Sequence, residues 1–579
     1  MNVGFYRAGV EEGFTQSDRA IIRMDAKPEE LRKFGDSYSF QLGNAHKVRF
    51  QRIANFGQAI DYKIHSPMTR ESIFKSLPLL LVAFTAFHVD AEVRLPRVFS
   101  NHMVLQRDAP IHVWGWADPG ETVSAAMNGA TRTATTDRLG HWSVYLPALA
   151  AGGPFDLKVS AGNSIQLSDI LTGDVWFASG QSNMEMPLIG FPGSAVINHA
   201  DEEIAQANHP NIRLFVVKKK ASDYPLNDFA DEASWSVCSP ETVRKFSAVA
   251  YFFGRNLSES EHVPIGLIDS TWGGTPAAAW VSLEGLASDP ALMPVFADRA
   301  RMTAAQADIP ALLAAEKRED EAARKAGTPL PVHAWHPDPA SWGPAALFNA
   351  MVAPVVPFGI KGAIWYQGES DTTATLAPIY EKTFTGLIRD WRGQWQQGNF
   401  PFLFVQIANY KGGAVPYWPV VREAQRRTLS LTGTGMAVAI EIGDPNNIHP
   451  SDKQTVGARL AAAARAIAYG EKVEYSGPSF RQTSVEADGL RVWLEHAGGL
   501  AAKDGPPQGF EIAGMDHHFV AAAARIDGQA IVMSNPQVPN PEFVRYGWAN
   551  APTLNLYNSA GLPASPFTSE EENPLPPDR

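Results

Sequence analysis

Between Glu92 and about Gln166 the apolar residues come in short runs, "HMVLQ", "IHVWGWA", "TVSAAM", "HWSVYL" and "FDLKVSA", parted by turns such as "DPGE", "RLGH" and "AGG". Short strands at close spacing predict a β-sandwich or small β domain. From Ile170 the pattern changes. Apolar runs that read as strands ("DVWFAS", "IRLFVV", "VPIGLIDS", "GIKGAIWY", "FLFVQIA", "MAVAIEI") now alternate with amphipathic stretches. In "KFSAVAYFFGRNLSE" the residues Phe246, Val249, Ala250, Phe253 and Leu257 share one helical face, and "DKQTVGARLAAAARAIAYG" reads as an alanine-rich helix ending at Gly470. Apolar strands separated by helices predict a parallel sheet with helices on both faces. After Gly470 strand signals return ("LRVWLEH", "GFEIAG", "HHFVAAAARIDGQAIVMS"), and the chain ends in an acidic, proline-rich tail of disordered character.

The N-terminal end has its own pattern. Residues 1–67 are mixed polar sequence with little periodicity. Met68 then opens a stretch with basic Arg70 and Lys75, an apolar core from Leu77 to Phe87, and the small residue Ala91. A basic start, a short apolar core and a small residue make a secretory signal. The core falls short of the ~20 apolar residues a membrane span needs. The expected organisation is therefore a non-native or disordered extension at 1–67, a signal peptide at 68–91 and a β domain at 92–167. An α/β domain follows at 168–472, with an insertion at about 286–343 carrying the charged helix "ALLAAEKREDEAARKA", and then a C-terminal β module and tail at 473–579. The expected location is periplasmic or secreted.

Composition narrows the partners. With 49 basic against 61 acidic residues the formal charge is −12 and no long basic run occurs, which argues against nucleic acid or an anionic membrane surface. The single cysteine, Cys238, excludes an internal disulfide and reads as a small buried hydrophobe.

Ligands of open parallel sheets bind beyond the carboxyl ends of the strands. There, "DVWFAS" is followed by Gly180, Gln181, Ser182 and Asn183; "VPIGLIDS" by Thr271, Trp272, Gly273, Gly274 and Thr275; "GAIWY" by Gln367, Gly368, Glu369, Ser370 and Asp371; and "MAVAIEI" by Gly443, Asp444, Asn446, Asn447 and His449. A hydroxyl, an imidazole, carboxylates and close-approach glycines at one edge suit acyl transfer by an activated serine. Serine is also a favoured helix N-cap, but a cap accounts for neither Gln367 nor His449.

Four blocks in order, "SGQSNMEMP", "STWGGTPAAAW", "IWYQGESD" and "NIHPSDKQTVGARLA", resemble the sialate O-acetylesterase-like branch of the SGNH (GDSL-like) hydrolases. The resemblance implies an SGNH, flavodoxin-like parallel sheet flanked by N- and C-terminal β-sandwich-like modules. It implies an enzyme that removes O-acetyl groups from sugars without a cofactor, with Ser182 as nucleophile and His449 as general base. The oxyanion hole it implies is the backbone N–H of Ser182, a backbone N–H of Gly273 or Gly274, and the side chain of Gln367. Many SGNH enzymes place an aspartate three residues before the histidine; here that residue is Asn446. Glu369, the glutamate that related carbohydrate esterases use, is the first candidate acid and Asp444 the second. Asp452 is expected to cap the helix after Pro450. Asn183, Trp272 and Trp418 are candidate substrate contacts, Trp418 equally a packing residue. Acetylated plant hemicellulose is an alternative to sialic acid. An inactive carbohydrate-binding protein is the rival of another class, and a lipase or thioesterase a third. No metal site is expected: His333 and His336 stand among prolines, and His517 and His518 would face opposite sides of a strand. The Gly-Asp-Ser at 35–37 follows charged residues rather than a buried strand, and no G-x-S-x-G elbow occurs.

Overall fold

The structure, a computed structural model, describes residues 92–573 apart from 192–194, 332, 334–335, 337, 413–416 and 487–488, and four strands nearer the N-terminus. The signal-like stretch 68–91 lies outside the described residues. The four strands, Ile21–Asp25, Ser37–Leu42, His46–Phe56 and Ala59–His65, form an antiparallel sheet of their own. The sequence pattern predicts no element there. The alternation that supports one is brief: Tyr38, Phe40 and Leu42 against Ser37, Ser39 and Gln41.

In the second unit six strands form the parallel sheet: β1 (Ser164–Gly180), β2 (His209–Val216), β3 (Ile265–Thr271), β4 (Gly362–Tyr366), β5 (Phe402–Gln406) and β6 (Thr434–Val438), in the spatial order β2-β3-β1-β4-β5-β6. Trp235–Cys238 pairs antiparallel outside β2. Successive side chains point to opposite faces, and both faces are filled. Val175, Phe177, Ala363, Trp365, Phe402 and Phe404 belong to one buried cluster; Trp176, Ala178, Ile364, Tyr366, Leu403 and Val405 belong to the other. The sheet therefore reads as continuous apolar runs rather than as an alternation.

Short helix α1 (Ser182–Glu185) follows β1. Helix α2 (Ala248–Glu261) covers the second face together with α6 (Lys453–Ile467), through Val249, Phe253, Leu257, Val456 and Leu460. Helices α4 (Tyr380–Trp395) and α5 (Trp418–Arg427) cover the first face, through Phe384, Leu387, Trp391, Val420 and Val421. Helix α3 (Ile309–Ala326) is the charged helix of the insertion, and none of its side chains is buried. Its carboxylates hold the two histidines of the proline-rich loop, Asp320 binding His333 and Glu316 binding His336, each at 3.0 Å.

β1 serves two sheets. Its first half pairs antiparallel with Gly152–Ser160 of the N-terminal β module, and its second half lies parallel between β3 and β4. Residues 167 and 168 sit inside this strand. The C-terminal module consists of antiparallel strands around a separate core that includes Leu490, Val492, Ile512, Ile531 and Val544. His517 and His518 precede one of its strands instead of lying in it, and His517 takes φ 54° in a turn. Among the described residues no helix is long and apolar enough to cross a membrane.

Candidate active site

The sheet ends abruptly at Gly180. Its φ is 135°, and a Cβ there would lie 2.2 Å from the carbonyl oxygen of Tyr366, so only glycine lets β1 come this close to β4 as it turns away. Gln181 then stitches the turn to the β4 loop. Its N–H donates to Tyr366 O at 3.0 Å, and its Oε1 accepts from the N–H of Ser370 at 3.1 Å and of Gly368 at 3.3 Å. Gln181 occupies the N-cap position of α1 and Ser182 is the first helical residue, so Ser182 is not the cap. Its hydroxyl stands 2.9 Å from Nε2 of His449.

His449 arrives from the loop between β6 and α6. Asn447 Oδ1 accepts the N–H of His449 at 3.0 Å, and Asp452 caps α6 by accepting from Thr455 N–H at 2.9 Å. The ring packs edge-on against Phe191, centroids 5.1 Å apart. Burial, and then the charge of Lys453, pull the imidazole down to about 4. Among the described residues no side chain hydrogen-bonds the second ring nitrogen. Asp444 is exposed and binds the N–H of Asn446 at 2.8 Å. The Glu369 carboxylate is buried and accepts from Asn183 Nδ2 at 2.5 Å. Neither candidate acid touches the imidazole.

The other expected residues divide into two groups. Gly273 is next to Ser182: a Cβ on it would lie 3.1 Å from Ser182 Cβ. Its N–H is taken by Oε2 of Glu185, whose Oε1 accepts from Lys219 Nζ. Gly274 takes φ 74° beside it. Among the described residues the N–H groups of Ser182 and Gly274 have no acceptor. Trp272 is half-buried, its N–H on Gly180 O at 3.1 Å.

Three residues face inward instead. Gln367 is fully buried and donates to Thr275 O at 3.1 Å and to Asp371 Oδ2, while Tyr380 Oη donates to its Oε1 at 3.0 Å. Its amide thus has no hydrogen left for an oxyanion. Asp371, which holds it, is pushed up to about 7 by burial. Asn183 is fully buried, with both amide hydrogens donated and its oxygen taken by Lys453, which removes it as a substrate contact. Trp418 is 4% exposed and its Nε1 donates to Ala408 O at 2.8 Å, so it packs the start of α5 and offers no platform to a sugar.

Lys453, Glu185 and Phe191 were not anticipated from the sequence. Lys453 is fully buried, its Nζ 2.5 Å from Asn183 Oδ1 and 5.3 Å from the centre of the Tyr366 ring. Its one legible signal is its place four residues after His449 at the start of a helix.

The site stands in a recognisable lineage. Residues 322–466 match the family described as carbohydrate esterase, sialic acid-specific acetylesterase. The chain is 29% identical to the sialate O-acetylesterase of Mus musculus, the match covering 85% of this chain and 97% of that protein. It is likewise 29% identical to the sialate O-acetylesterase of Homo sapiens, over 85% of this chain and 95% of that one. Among solved structures, a carbohydrate acetylesterase from Xanthomonas citri is 36% identical and superposes with a TM-score of 0.70, covering 83% of this chain and 100% of that chain. With the parallel sheet, its flanking β modules and near-complete coverage of these relatives, the chain belongs to the sialate O-acetylesterase-like carbohydrate esterases of the SGNH hydrolase superfamily.

Proposed function

We propose that the protein hydrolyses acetyl esters on sugars through Ser182 and His449. The observation that carries this reading is the 2.9 Å contact between Ser182 Oγ and His449 Nε2, assembled from residues 267 positions apart. Ser182 Oγ bonds to the acetyl carbonyl carbon as His449 takes its proton. The carbon–oxygen bond to the sugar then breaks, and the same proton passes to the departing sugar oxygen. Water, deprotonated by His449, then attacks the acetyl carbon; the bond from that carbon to Ser182 Oγ breaks, the proton returns from His449 to Oγ, and acetate leaves. The N–H groups of Ser182 and Gly274 are the donors available to the oxyanion, and losing one such donor costs about 10²–10³ in rate in comparable sites. Of the two acids we retain Glu369, because its carboxylate reaches the residue beside Ser182.

The curated relatives are named for sialate esters, and the Xanthomonas citri protein is a carbohydrate acetylesterase. Acetylated sialic acid is therefore the leading substrate and acetylated hemicellulose the alternative. That the imidazole has no carboxylate partner among the described residues is what favours the rival reading of an inactive glycan-binding protein. Acetate release from a panel of acetylated sialic acids and plant glycans, by wild type and Ser182→Ala, decides between them. The expected result is turnover by wild type and none by the variant. Equal rates for the two, or no turnover of any ester, would overturn the proposal.

A further inference from the structure

Asn183 holds together the two loops that carry the nucleophile and the base. It follows Ser182 directly, and its Nδ2 donates 2.9 Å to the carbonyl oxygen of Ile448, which directly precedes His449. The second hydrogen on Nδ2 goes to Glu369 Oε1 at 2.5 Å, and Oδ1 accepts from Lys453 Nζ at 2.5 Å. The amide can sit only one way round. Turned over, it would set its oxygen against a carboxylate and a carbonyl, and its hydrogens against an ammonium that has no acceptor. Asn183, Lys453 and Glu369 are all buried, and the amide lies between the two charges in place of a direct ion pair. Burial works against both ions, pulling Lys453 down to about 7 and raising Glu369. A buried pair of opposite charges is poor value as stabilisation alone; here the bonds through the amide fix its orientation, while Glu369 Oε2 has no partner among the described residues.

We propose that Asn183 is a positioning residue that sets the Ser182–His449 separation, with Lys453 and Glu369 acting through it. The proposal rests on the serine esterase reading above. It also gives the retained acid a defined place: Glu369 orients the amide that holds the base loop, without touching the imidazole.

The test uses the full chain with p-nitrophenyl acetate as probe. Asn183→Ala is expected to lower kcat about 10²-fold, the order expected of a displacement near 1 Å, with KM unchanged and the circular dichroism spectrum retained. Lys453→Met is expected to lower kcat as well, and the double variant to be no slower than Asn183→Ala, because the lysine acts through the amide. Lys453→Met should also raise the acidic limb of kcat/KM above about 4 while leaving it below 6.5, since burial, the larger cause of the depression, remains when the ammonium is removed. Should Asn183→Ala fail to fold, Lys453→Met and Glu369→Gln carry the test through kcat, each expected to lower it with KM unchanged. Additive losses, or an Asn183→Ala enzyme with wild-type kcat, would overturn the clamp. Wild-type rates in Ser182→Ala would instead overturn the esterase reading on which it rests.

Discussion

An imidazole that is buried and lies near the charge of Lys453 surrenders its proton early, and this sets how the enzyme meets acid. As the proposed base, His449 must be neutral, and its folded value lies at about 4, below the ordinary 6.5. The sign is that activity is lost only as pH falls through about 4 and holds through weak acid to neutrality. A kcat/KM profile for the wild-type enzyme with an acidic limb near 6.5 would show that the ring is not buried as described. Much of the site is legible residue by residue. Ser182 and His449 each follow an apolar run that ends at one edge of a parallel sheet, and a hydroxyl and an imidazole have little other reason to gather there. What the sequence does not carry is direction. Gln367 and Asn183 stand where an oxyanion donor and a substrate contact would stand, yet both are turned into the protein, because Asp371, Thr275 and Lys453 offer them bonds that only folding brings near. Lys453 itself reads as a surface cation at the start of a helix, and nothing local announces its burial.

β1 shows how one element fixes the site through a single backbone position. The strand must break where its neighbour β4 is still close, and Gly180 allows this with φ 135° and no Cβ against Tyr366 O. Gly180→Ala would impose both a rare backbone conformation and a clash with main chain. A loss of about 3 kcal/mol in urea denaturation is expected, together with lowered esterase activity, because Ser182, the proposed nucleophile, is two residues away. An alanine variant as stable and active as wild type would mean the turn can relax elsewhere. The six strands of the sheet were readable because burial on both faces leaves uninterrupted apolar runs, and α2 and α6 because their apolar positions recur at helical spacing. The sharing of β1 was not readable. "SIQLSDI" alternates like a half-exposed strand and "LTGDVWFAS" runs apolar, which suggests two elements in two domains, whereas the backbone passes through without a break.

At the scale of the whole molecule, the α/β core and the returning C-terminal chain meet around one buried cation. Arg422 of α5 is fully buried, and burial pulls its guanidinium down to about 9. Among the described residues it pairs with no carboxylate. It donates to Ile407 O at 2.9 Å and Ala408 O at 2.8 Å, just beyond β5, and to Ala549 O at 2.8 Å and Asn550 O at 2.9 Å, on the returning chain. The seam continues through Asn409 Nδ2 on Pro552 O at 3.1 Å and Gln406 Nε2 on Ser565 Oγ at 3.0 Å. Arginine suits this place because its fork of donors reaches carbonyls on two chain segments at once. Arg422→Met keeps the bulk and leaves those carbonyls without a donor, at about 1–3 kcal/mol for each acceptor that finds no other partner. The expected outcome is a urea midpoint lowered by at least about 3 kcal/mol in stability, with new sites of limited proteolysis near residues 549–552. Cleavage should appear there before it appears in the parallel sheet, because the sheet keeps its own bonds and both its cores. A variant with the wild-type midpoint and an unchanged cleavage pattern would show that the seam closes without the guanidinium.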